Sequence, residues 1–223
     1  MFDEKEFFER TPKGLLIRAP ILKITPVALA DLRLYTMFCD VEVSGLGKIK
    51  TSGQEMIITD ILIFPQKCSN VGTGLDENGL FDFIGSIPGE ENDDDYRLWW
   101  HSHVWMLPHW SLTDNRTIER FHYADFWVSI VTNKWHQQGA RVDFFNPMRI
   151  IFDDLPLSLS EPFDEKNLWF LMRKRFYDAG IEGKIRKNVR NIEEEIKQEL
   201  LYHQIKKEVE EKFKKGARNN GKS

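Results

Sequence analysis

The stretch WWHSHVWMLPHWSLTD, residues 99–114, constrains the fold more tightly than any other part of the chain. Residues 96–104 are aromatic and β-favouring and read as a strand, so His101 and His103, two apart, point to the same face. Ser111 opens a helical pattern over 111–124, so the strand must reach a helix start across the seven residues 104–110. Two imidazoles on one strand face can reach a single metal ion. Asp114, eleven residues after His103 and in the first turn of the following helix, is a natural third ligand. Catalytic zinc takes three protein ligands and keeps a fourth position for water. Ser111 has two possible jobs, capping the helix or donating its hydroxyl to an oxyanion.

The surrounding segments supply a sheet for that strand. Residues 24–40 read as a helix, with Thr25 as N-cap and Pro26 at the first helical position. Residues 41–50 read as a strand interrupted by Gly45 and Gly47, and 55–65 as one or two buried strands. Residues 66–95 read as a loop ending in the acidic run 88–95, while 125–133 and 139–153 read as strands separated by a turn. Interleaved helices and strands predict an α/β fold with a central mixed sheet flanked by helices. Residues 164–180 then read as a helix and 184–215 as a long charged one with a single apolar stripe through Ile185, Val189, Ile192 and Ile196. Residues 184–223 hold 12 Lys+Arg against 7 Asp+Glu, although the whole chain carries −4. The expected division is therefore 1–160 as the catalytic domain and 161–223 as a helical extension with a disordered tail.

Composition narrows the function classes. A net charge of −4 gives no general case for nucleic-acid binding. Cys39 and Cys68 are the only cysteines, too few for a disulfide framework or a cysteine-rich zinc site. No run of about 18 apolar residues occurs and the N-terminus lacks a signal-peptide pattern, so no membrane association and a cytoplasmic location are expected. Cys39 is expected to be buried near the Glu42 strand and Cys68 to be exposed in a loop. The stripe on 184–215 needs a cover, supplied by the domain itself, self-association or a partner protein.

A water bound to a metal still needs a base, and without an HExxH motif that base must come from elsewhere in the chain. Glu42 is the candidate, because it opens a glycine-bearing strand in an apolar context that otherwise suits an acid poorly.

Glu42 followed by His101-Ser102-His103, seven residues, Ser111, two residues and Asp114 resembles the JAMM signature of the MPN-domain (JAB family) metalloproteases. VEVSGLG resembles the Glu-bearing strand of that family, and VSIVTN with Asn146–Pro147 resembles the strands after its site helix. The likeness spans roughly residues 20–155. It implies an MPN-like fold and a zinc hydrolase, with His101, His103 and Asp114 on the metal, Glu42 as general base and Ser111 supporting the oxyanion. Family members with the full motif cut isopeptide or peptide bonds after the tail of ubiquitin or a ubiquitin-like β-grasp protein, which makes such a modifier the expected partner. The acidic run 88–95 would then either be a solvated loop or a rim for a basic tail. The chain departs from the pattern at Val104, often proline in the family, at Ser44 before Gly45, and in its density of tryptophans. A peptidase of the phage tail-assembly or cell-wall type, and a non-catalytic interaction module, are the alternative readings.

Overall fold

The computed structural model describes residues 2–69, 72–74 and 96–191. Its centre is a mixed eight-stranded sheet with four α-helices among the described residues. The chain enters through a short 3-10 turn and a hairpin of β1 (Phe8–Thr11) and β2 (Gly14–Ile17), then contributes β3 (Ile21–Ile24) to the sheet. Helix α1 (Pro26–Phe38) follows, with the Thr25 hydroxyl accepting from the Ala28 N–H at 3.2 Å, as the Thr-Pro start predicts. β4 (Ser44–Ser52) and β5 (Glu55–Ile63) form an antiparallel pair. β6 (Gln66–Ser69) and β7 (Gly72–Gly74) leave the main sheet, and β8 (Tyr96–Ser102) returns to its middle. Helix α2 (Leu112–Glu119), β9 (Phe126–Thr132), β10 (Gln138–Phe144), β11 (Ile150–Phe152) and β12 (Leu157–Leu159) complete the sheet region. Helices α3 (Glu165–Asp178) and α4 (Ile181–Asn188) precede β13 (Val189–Asn191).

The strand order is β11-β10-β9-β8-β4-β5-β3-β12. β8 runs antiparallel to β4 and parallel to β9, so its C-terminal end, where the histidines lie, sits between two backbone neighbours. Alternation along β8 divides its side chains between two cores. Leu98 and Trp100 enter the large core shared with α1, whereas Trp99 joins the smaller aromatic core under α2 with Leu46, Ile118, Phe121 and Trp127. Trp100 is fully buried, stacked on Tyr35, and its indole N–H donates to the Leu46 and Leu62 carbonyls. Gly45 and Gly47 do not interrupt β4. A Cβ on Gly45 would come within 1.9 Å of the Leu62 carbonyl oxygen and 2.6 Å of the Trp100 ring, so glycine here makes room for the indole across the strand.

On the far side of α1 lies α3, where Arg175 pairs with the buried Asp31 and Phe176 stacks on Phe38. Four further expectations need correcting. The helix expected over 184–215 stops at Asn188, because Val189–Asn191 is extended and pairs in parallel with β6; residues 192–215 lie outside the described residues. Residues 66–69 and 72–74 are strands rather than loop, and the acidic run 88–95 lies outside the described residues. Cys68 is fully buried on β6, not exposed, whereas Cys39 is buried at the end of α1 as expected. The segment 139–153 is two strands, broken around Asn146–Pro147. No helix among the described residues is long and apolar enough to cross a membrane.

Candidate metal centre

β8 carries His101 to the strand end and His103 just past it, where the His103 N–H still donates to the Thr132 carbonyl of β9 at 2.8 Å. Asp114 arrives from the first turn of α2 and is oriented by a reciprocal cap. The Ser111 hydroxyl oxygen accepts from the Asp114 N–H at 3.1 Å, and the Asp114 Oδ2 accepts from the Ser111 N–H at 2.7 Å. The same carboxylate turns its other oxygen to His101.

The three side chains converge. His101 Nε2 and His103 Nε2 are 3.1 Å apart, His101 Nε2 lies 3.4 Å from Asp114 Oδ1, and His103 Nε2 lies 3.9 Å from Asp114 Oδ2. In a tetrahedral zinc site with bonds of about 2.0–2.1 Å, neighbouring ligand atoms stand about 3.3 Å apart. The observed separations bracket that value, and all three residues are buried. The protonation pattern points the same way. The Leu107 carbonyl, 2.9 Å from His103 Nδ1, can only accept, so the His103 proton sits on Nδ1 and the Nε2 lone pair faces the cluster. Two imidazole nitrogens and a carboxylate thus face one another with at most one proton among them in the neutral-histidine state. The cluster can hold a metal ion.

Charge and burial prepare these groups. Burial lowers the pKa of His101, against the opposing influence of Asp114, and so favours the neutral ring. Burial pushes the Asp114 carboxyl up, but hydrogen bonds and charge from His101 and the Ser111 cap outweigh it and hold the group well below the usual carboxylate range. Trp99 stacks on His101 at 4.5 Å between centroids, and Trp110 leans over the same ring at 5.9 Å. Trp110 is itself fixed, its N–H donating to Asp153 Oδ1 and its face covered by the buried Arg141 guanidinium. Trp105 stands apart, 59% exposed beside Trp135 and Lys134.

Glu42 lies at the site without belonging to the ligand cluster. Ser44 of β4 pairs with His101, and the Ser102 N–H donates to the Val43 carbonyl at 2.8 Å. Continuing that antiparallel register brings Glu42 opposite His103, on the face that carries the histidines. The Ser102 hydroxyl also accepts from the Val43 N–H at 3.1 Å, so the middle residue of His-Ser-His ties the Glu42 segment to β8. Glu42 is only 6% exposed; burial, with the negative charge of Asp114 adding to it, pushes its pKa up to about 7. Ser111 is the helix N-cap, and that role uses an oxygen lone pair, leaving the hydroxyl proton available for donation.

Two residues important to this geometry carry no sequence signal as site residues. Asn133 is fully buried and donates to the Met106 carbonyl and to Gln137 Oε1, pinning the 104–110 loop that supplies the Leu107 carbonyl. Gln66 bonds the backbone of Ser44. His109 and His122 are exposed and outside the cluster, as is His136, which lines a groove of about 730 Å³ between α1 and α3 with Phe38, Trp169 and Phe176. None of the cluster residues lines that groove. Comparison with known proteins finds no family model that matches the chain, and no curated protein matches it.

Proposed function

We propose that the protein is an MPN-like zinc hydrolase that cleaves the amide bond after the C-terminal tail of a ubiquitin-like β-grasp protein. The observation that carries this reading is the pairing of a buried three-ligand cluster with a separate carboxyl, Glu42, whose pKa is raised to about 7. A set of two histidines and one aspartate suits zinc and leaves a fourth coordination position. When bound, the ion supplies Lewis acidity, lowering the pKa of a coordinated water toward 7 and polarising a carbonyl.

The chain's own groups then do the following. His101, His103 and Asp114 hold the ion, their orientations set by the Leu107 carbonyl and by the Ser111 cap. Glu42 accepts the proton of the attacking water on its carboxylate and delivers it to the leaving amine. A buried carboxyl on the face that carries the histidines, outside the ligand set, is placed to serve both steps. The Ser111 hydroxyl donates its free proton to the developing oxyanion. The substrate tail binds extended, with its last carbonyl presented to the metal position between the ligand cluster and Glu42.

The test is to measure bound metal and then offer zinc-loaded protein linear and isopeptide-linked conjugates of several β-grasp proteins, with a chelated control. Cleavage should require the metal. Glu42→Gln should cut turnover at least 10²-fold with zinc retained, whereas Asp114→Ala should lose both. Cleavage of peptidoglycan peptides alone would remove the ubiquitin-like reading, and full activity in chelated protein would remove the mechanism.

A further inference from the structure

Pairing between β4 and β5 ends at Gly45 opposite Ile63, one residue short of Ser44. Ser44 is 1% exposed, so its backbone N–H and C=O on that side would be orphaned in the interior. The Gln66 side chain takes the place of the missing strand. Its Oε1 accepts from the Ser44 N–H at 2.8 Å, and its Nε2 donates to the Ser44 carbonyl at 2.7 Å. The second Nε2 hydrogen goes to the Phe64 carbonyl at 3.0 Å, and the Cys68 thiol donates to Oε1 at 3.4 Å. Both donors and both acceptor positions of the amide are thereby used, which fixes its orientation as well as its place. Gln66 is itself 4% exposed and begins β6, which β13 braces with Val189 opposite Gln66.

We infer that Gln66 is a positioning residue for Glu42. Its carboxamide holds Ser44 from one edge while Ser102 holds Val43 from the other, so that the segment carrying Glu42 is clamped on both sides although, among the described residues, no strand flanks it on the Gln66 side. This rests on the reading of Glu42 as the base. The metal ligands come from β8, its end and α2, and none of them bonds Gln66, so the clamp acts on the base and not on the ion. A displacement of about 1 Å in a reacting group can cost on the order of 10²-fold in rate.

The experiment uses the full-length zinc-loaded chain with Gln66→Met, which keeps length and bulk and removes all four hydrogen bonds. Bound zinc should stay at one per chain. For whichever β-grasp conjugate the wild type cuts, kcat should fall between about 10- and 100-fold while KM stays within about twofold. Amide exchange of both Ser44 and Val43 should accelerate at least about tenfold, and that of His103, bonded to Thr132, should not change. Unchanged kcat in folded, zinc-loaded protein overturns the inference, even if the melting temperature falls. Acceleration confined to Ser44 overturns it as well, because the Glu42 segment would then be held without Gln66. If the wild type cuts no conjugate, the ubiquitin-like reading fails, and the Val43 exchange alone decides whether Gln66 holds the segment. Gln66→Asn, which keeps the uncharged amide but draws it back by one methylene from the Ser44 backbone, gives the same comparison if the methionine variant does not fold.

Discussion

Replacing Glu42 by glutamine should make the metal-free protein more stable, and increasingly so as the pH rises. The carboxyl is nearly enclosed and lies within reach of the negative charge of Asp114, so its pKa is about 7 in the folded chain against an ordinary 4.5. A carboxyl raised on folding binds its proton more tightly in the native state. Its favourable contribution is complete below pH 4.5 and is lost as the pH climbs through about 7. At about 1.4 kcal/mol per pH unit, the interval amounts to about 3 kcal/mol. Glutamine has a similar shape and no charge to desolvate, so it escapes that loss. Urea unfolding of chelator-treated wild type and Glu42→Gln should therefore diverge, the variant gaining about 1 kcal/mol at pH 5 and about 3 kcal/mol at pH 8 relative to their difference at pH 4. In melting temperature the gain at pH 8 is roughly 6–12 °C for a chain of this size. Zinc should flatten the slope by placing positive charge beside the carboxylate. A difference that stays constant from pH 5 to 8, or that shrinks, would show a solvated Glu42 and refute the argument that burial tunes it toward neutrality.

Two backbone positions give sharper tests of the local geometry. Val104 has φ +43°, a conformation closed to proline, and in it the Val104 carbonyl accepts from the Lys134 N–H at 2.8 Å. Val104→Pro should displace the loop that supplies the Leu107 carbonyl to His103 and weaken zinc binding by about 10- to 100-fold in a chelator competition. Val104→Gly, which exchanges buried methyl groups for relief of about 1–2 kcal/mol of left-handed strain, should leave binding close to wild type; equal affinity in both variants would contradict the geometry. Gly45→Ala drives a methyl group into the Leu62 carbonyl and the Trp100 indole and should cost roughly 3 kcal/mol in urea unfolding. A loss under about 0.5 kcal/mol would mean that the indole does not lie across the strand.

The parts of this molecule that were legible in its sequence are those whose cause is local. Thr25 with Pro26 and Ser111 with Asp114 announce helix starts because the capping bonds join residues three apart, and the alternation of Tyr96–Ser102 announces a strand. The ligand cluster is legible for the same reason, since His101, His103 and Asp114 fall within fourteen residues and two adjoining elements. Where a long-range partner decides, local pattern misleads. Val189 continues the apolar stripe after Ile185, so a helix is the economical reading, yet its backbone pairs with Gln66, more than a hundred residues earlier. Gly45 looks like a weak point in a strand until the indole that needs the space is placed. Cys68 looks exposed until β6 is seen to pack beneath the Ser44 backbone.

The proposed base belongs to this second group. A metal can be held by residues that one strand and one capped helix bring together, and their spacing in the chain is enough to suggest it. A base must approach the same point from outside the ligand set, so its position is set by pairing between β4 and β8 and by side chains that substitute for strands. The interaction that places Glu42 runs through Ser102, which lies between the two histidines, and through Gln66, which lies in a segment with no motif at all. The placement of the proposed base therefore depends on the least legible contacts in the fold, and changes at Gln66 or Ser102 should alter the proposed catalysis while His101, His103 and Asp114 all remain.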